Sequence, residues 1–133
     1  MNVFIVGAGP GDPELITVKG QKLLSEADVI IYAGSLVNPA LLDYAKAGCE
    51  IHNSASMTLP QVINVIEDGV KHGKMVVRLH TGDPSIYGAI QEQMDALDKL
   101  GIEYKVVPGV SSFLATAAAL KQEYTLPGIS QTV

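Results

Sequence analysis

The chain has 133 residues, 47% of them hydrophobic, and a formal net charge of −5. That composition describes one globular domain with an apolar interior and excludes a disordered chain. The acidic balance argues against a duplex or ribosomal RNA partner, which calls for a basic face, and no run approaches the ~18 apolar residues of a membrane span.

Val3-Phe4-Ile5-Val6 is a short apolar run suited to a buried parallel strand. After a glycine-rich loop, Asp12 is placed to cap a helix with Pro13 at its first position, and Leu15, Ile16, Leu23, Leu24 and Ala27 mark its apolar face. Val29-Ile30-Ile31-Tyr32 is the second strand, Ala33-Gly34-Ser35 a turn, and residues 39–47 a short helix that stops at Gly48. Cys49-Glu50-Ile51 is a weak third strand. Thr58 and Gln61 have capping-box spacing, and the helix they start carries Val62, Ile63, Ile66 and Val70 before stopping near Gly73. Met75-Val76-Val77-Arg78-Leu79 is the fourth strand; a helix over about 88–100 follows and ends at Gly101, a left-handed cap. Tyr104-Lys105-Val106-Val107 is the fifth strand, and Pro108-Gly109 turns into a small-residue helix over 111–120. This alternation predicts an α/β domain: a mainly parallel five-stranded sheet with helices on both faces. Residues 129–133 read as the start of a further strand, which predicts that the chain is part of a longer protein. Residues 1–7 lack the basic start and apolar run of a signal peptide, and the lone Cys49 cannot close an internal disulfide, so a reducing cytoplasm is the expected location.

Three loops hold the chemistry. The first, Gly7-Ala8-Gly9-Pro10-Gly11-Asp12-Pro13, invites a dinucleotide reading and fails it: the third glycine of a G-x-G-x-x-G falls on Asp12, and the second strand ends in Tyr32-Ala33 with no acid for a ribose. By itself it is equally a tight strand-to-helix turn. The second, Thr81-Gly82-Asp83-Pro84, places a hydroxyl, a bare backbone and a carboxylate within four residues, at the end of a strand expected to be central. Asp83 is also well placed simply to cap the next helical turn. The third, Pro108-Gly109-Val110-Ser111-Ser112, brings two hydroxyls to the same sheet edge or spends them on capping. His52, His72 and His80 are far apart, and no cysteine, histidine or acid spacing suggests zinc. His80 borders the second loop, with packing its simpler role. Nothing in the sequence names a catalytic acid, base or nucleophile.

Taken together, Val6 to Thr17, Arg78 to Pro84 and Pro108 to Ser112 resemble the tetrapyrrole methylase family. The resemblance runs over the whole chain. It implies S-adenosyl-L-methionine as co-substrate, a precorrin-type tetrapyrrole as acceptor, a homodimeric assembly, and no nucleic-acid or membrane partner. Tyr32 to Val37, Arg78 to Ala89, Glu92-Gln93-Met94 and residues 125–133 are most similar to the branch that methylates C-11 of precorrin-4 or cobalt-precorrin-4 in cobalamin biosynthesis. Uroporphyrinogen methylases usually carry an Asp-Arg pair where this chain has Ala33-Gly34. The family fold has two α/β domains with the cofactor between them. Residues 1–133 are then the first domain, the second is absent, and the isolated piece is expected to be inactive. By resemblance, Pro10, Thr81, Gly82, Asp83, Ile86, Ser111 and Ser112 line the cofactor site. Arg78 or nearby lysines could face the acceptor's carboxylates, or Arg78 could be a structural strand-end charge. The alternatives are a non-catalytic small-molecule-binding domain, and a family member with another acceptor.

Overall fold

The computed structural model describes residues 2–125, so the strand expected over 129–133 lies outside the described residues. Five strands form one sheet: β1 (Val3–Gly7), β2 (Val29–Tyr32), β3 (Glu50–Asn53), β4 (Val76–His80) and β5 (Lys105–Val107). Their order is β3-β2-β4-β1-β5 and every ladder between them is parallel, which sharpens the expected "mainly parallel" sheet. Side chains alternate across it, as strand geometry requires. Val6, Ile30, Val77 and Leu79 pack on one face with Leu23, Leu24 and Leu41. Val3, Val29, Ile31 and Val76 pack on the other with Val62, Ile63, Ile66 and Leu97.

The helices are α1 (Val18–Glu26), α2 (Leu59–Lys71), α3 (Ile90–Lys99) and α4 (Ser112–Leu120). The first differs from its sequence reading. Asp12 does cap at Pro13, its carboxylate accepting from the Glu14 amide at 2.9 Å, but only a 3-10 turn, Pro13–Leu15, results. Ile16 is extended, and Thr17 opens α1 by accepting from the Gly20 amide at 3.0 Å. Two caps close together divide what periodicity reads as one helix. The short helix expected over 39–47 is a 3-10 segment, Pro39–Tyr44, capped by Asn38. The capping box of α2 is complete: Thr58 Oγ1 accepts from the Gln61 amide at 3.3 Å, and Gln61 Oε1 accepts from the Thr58 amide at 2.9 Å. Gly101 closes α3 at φ +68°, as expected. Among the described residues no helix is long and apolar enough to cross a membrane.

Candidate functional site

The central strands β4, β1 and β5 are neighbours and parallel, so the loops that leave their carboxyl ends share one edge. The loops are also fastened to one another. The Gly82 amide donates to the Gly9 carbonyl at 2.8 Å, the Gly9 amide donates back to the Gly82 carbonyl at 3.2 Å, and the Ala8 amide donates to the His80 carbonyl at 2.6 Å. The third loop fits into the same joint. A Cβ on Gly7 would stand 2.6 Å from both the Gly109 Cα and the Gly82 carbonyl oxygen, and a Cβ on Gly109 would strike that same oxygen. Only hydrogen at both positions permits so close an approach.

Asp83 completes the joint. One carboxylate oxygen accepts from the Ser85 amide at 2.8 Å, closing its own turn, and the other accepts from the Gly109 amide at 2.9 Å, across to the third loop. Asp83 thus caps its own turn, as its sequence position suggests, and also ties the second loop to the third. Ser111 is buried and caps α4, its Oγ accepting from the Phe113 amide at 3.2 Å. Thr81 is different: its hydroxyl is sealed from solvent and has no hydrogen-bond partner among the described residues. A buried polar group in that state is costly unless something else satisfies it.

The structure gathers the residues singled out from the sequence. Pro10 follows the Gly9 bridge; Thr81, Gly82 and Asp83 form the second loop; Ser111 and Ser112 stand across from Gly82, whose missing Cβ would lie 3.6 Å from the Ser111 Cα and 3.7 Å from the Ser112 amide nitrogen. Ile86 and Ser111 line an apolar depression of about 580 Å³ with Phe113, Leu114, Ala117 and Tyr124. Phe113 and Tyr124 stack there at a centroid separation of 4.3 Å. One residue was missed. Asn38 donates to the Gly11 carbonyl at 2.7 Å and holds the first loop from the side of β2. Its sequence signal was the Asn-Pro pair, which announces a cap and gives no hint of a reach back over 27 positions.

Beside the loops, on the α2 and α3 face, Arg78 and His80 lie buried at β4. Arg78 Nε donates to Gln93 Oε1 at 3.0 Å and Nη1 donates to the Ile31 carbonyl at 3.2 Å. That orientation turns the Gln93 amide nitrogen toward His80 Nε2, 3.4 Å away, so this ring nitrogen is the acceptor. Burial, with the Arg78 charge nearby, holds His80 down at about 4, and burial brings Arg78 to about 10. At neutral pH His80 is neutral and Arg78 is charged.

The family model for tetrapyrrole (corrin/porphyrin) methylases matches residues 2–133. The chain belongs to the tetrapyrrole methylases. Among curated relatives of this tetrapyrrole methylase, a cobalt-precorrin-4 C(11)-methyltransferase of Methanocaldococcus jannaschii is 65% identical over 131 residues, which are 98% of the chain and 51% of the relative. One of the same name from Priestia megaterium is 52% identical, over 100% of the chain and 52% of the relative. The X-ray structure of a cobalt precorrin-4 methyltransferase, a cobalamin biosynthetic enzyme, superposes with a TM-score of 0.95 at 52% identity, covering 98% of the chain and 54% of that protein. A uroporphyrin-III C-methyl transferase of Thermus thermophilus, complexed with S-adenyl homocysteine, gives 0.80 at 34% identity, covering 99% of the chain and 53% of that protein. The chain thus spans about half the length of the relatives it matches.

Proposed function

We propose that this chain is the first half of an S-adenosyl-L-methionine-dependent methyltransferase that acts at C-11 of precorrin-4 or cobalt-precorrin-4 in cobalamin biosynthesis. The acceptor is taken from what the curated relatives described above are named for. The observations that carry the donor site are the joint of bare glycine backbone and the neighbouring Thr81 hydroxyl, which has no hydrogen-bond partner among the described residues. Such a cradle fits a compact ligand rich in polar atoms. When bound, the donor supplies an electrophilic methyl group on a sulfonium. The residues of this chain hold and orient it. Pro10, Thr81 and Gly82 offer close backbone, Ser112 offers an exposed hydroxyl, and Ile86 with the depression beyond Ser111 offers an apolar wall. Asp83 keeps the second and third loops in register through the Gly109 amide. Alignment of two reactants in this way supplies on the order of 7–11 kcal/mol in good cases, without an acid or base.

We further propose a cytoplasmic, homodimeric enzyme whose remaining donor and acceptor contacts come from the other half of the parent. Titration calorimetry of S-adenosylmethionine into the full-length parent and into this chain, with a turnover assay on a precorrin-4-type acceptor, tests the reading. We expect tight binding and turnover for the parent, with much weaker binding and no turnover for residues 1–133. Comparable turnover by this chain would show that one half suffices. Binding without turnover in the parent would leave a non-catalytic binding domain.

A further inference from the structure

Below the glycine joint, on the α2 and α3 face, lies a separate cavity of about 190 Å³. Ser54, Leu59, Arg78, Ala89, Glu92 and Gln93 are among the residues that line it. It opens at the carboxyl edge of the sheet, because Ser54 follows β3, Leu59 opens α2 and Ala89 precedes α3. Arg78 is the unusual member. It is 6% exposed, and among the described residues no carboxylate lies within ion-pair distance of it. A buried charge is costly when no opposite charge compensates it. A guanidinium has five N–H donors; Gln93 and Ile31 take two, which leaves three for another acceptor.

A second feature of the same cavity points the same way. The first turn of α3 has no side-chain cap, since Ala89 stands at the N-cap position in a left-handed conformation. Its free amides and the positive end of the helix dipole add to the Arg78 charge. At about 190 Å³ the cavity has room for several waters, so a short carboxylate arm can enter. Glu92, exposed at the rim, sets a negative charge at the entrance.

We infer that this cavity is a carboxylate subsite, in which Arg78 and the uncapped start of α3 hold one acidic arm of the acceptor. Naming the arm as a tetrapyrrole's rests on the reading above; the anion site does not. The site lies on the same sheet edge as the donor loops and on the other side of β4 from the α1 layer. A flat acceptor pinned there by an arm would be fixed in rotation as well as position.

The test is titration of the 133-residue chain with propionate and with propionamide, followed through the arginine Nε–Hε resonances by NMR. Propionate is expected to shift the Arg78 signal saturably, and neutral propionamide to leave it in place. Glu92→Gln removes the charge at the rim and should tighten propionate about two- to fivefold, the scale of one partly screened surface charge. Arg78→Gln should abolish binding; because that variant puts the packing of β4 at risk, Glu92→Gln with Arg78 intact keeps the inference falsifiable. Equal shifts with both ligands, no saturable shift, or no response to Glu92→Gln overturns the subsite. Free uroporphyrin, which carries acetate and propionate arms on one macrocycle, distinguishes the source. Competition with propionate at lower concentration supports a tetrapyrrole arm, and no competition assigns the site to a free small carboxylate instead. S-Adenosylmethionine plays no part in these measurements, so their failure would leave the donor site standing.

Discussion

Gly7 and Gly82 respond differently to the same added methyl group. At Gly7 the new Cβ would stand 2.6 Å from two backbone atoms of the neighbouring loops, which cannot move without opening the joint. Gly7→Ala should cost about 3 kcal/mol in denaturant unfolding, the upper range for overpacking. At Gly82 the new Cβ meets ordinary contact distances of 3.6 Å and more, and the cost is its φ of +61°. Gly82→Ala should therefore lose about 1–2 kcal/mol of stability, keep its fold, and lose S-adenosylmethionine affinity in the full-length parent by calorimetry. A valine there adds β-branching at a positive φ, so the smaller residue is the cleaner probe. Asp83 gives a sharper contrast. Asp83→Asn puts an amide where the Gly109 N–H now donates, and should weaken the donor and its demethylated product, which lacks the sulfonium charge, equally if the side chain acts as a strut between loops. Loss confined to the sulfonium-bearing donor would make Asp83 a charge partner instead. That second role is what the family resemblance implies, since it sets the Asp83 carboxylate at the site of a positively charged donor. The Gly109 amide lies 26 positions away, and no local pattern announces it.

Among the elements, α2 depends most clearly on its start. Thr58→Ala removes the acceptor for the Gln61 amide and half of the reciprocal pair, and should cost about 1 kcal/mol in denaturant unfolding with the slope unchanged. The parallel strands were legible because short apolar runs such as Val29-Ile30-Ile31 and Val76-Val77 are β-branched. The helix boundaries were less so. Leu15, Ile16, Leu23 and Leu24 keep a helical rhythm across a break that only the competing caps at Asp12 and Thr17 explain. Likewise α3 starts at Ile90, two positions later than its pattern suggests, because Tyr87 and Ala89 take left-handed conformations at φ 56° and 50°. Neither residue type signals that geometry. The convergence of the three loops, by contrast, followed from parallel topology alone once the strands were placed.

For the whole molecule, acid is the revealing perturbation. His80 has a folded pKa of about 4, below its ordinary 6.5, so the unfolded chain takes up the proton first. Its contribution to stability is full above about 6.5, falls as pH drops toward 4, and is constant below that. Asp28 and Glu50 are held below their ordinary values, Asp28 chiefly by the Lys46 ammonium and Glu50 chiefly by His52. Their contributions are present above the ordinary carboxylate range and disappear as pH falls through the lowered values, so they add a second loss beneath the first. Denaturant midpoints measured from pH 8 to pH 3 should decline in two stages, and His80→Gln should flatten the upper one only. A single decline that His80→Gln leaves unchanged would place the buried histidine outside the acid response. The glycine joint sets a different boundary, on transplantation. Each of the three loops takes its shape from space that the other two leave vacant, so moving one of them onto a foreign scaffold carries over its letters without its form. An engineer who wants this cradle elsewhere must bring three adjacent strand ends, in this order, together with everything they carry.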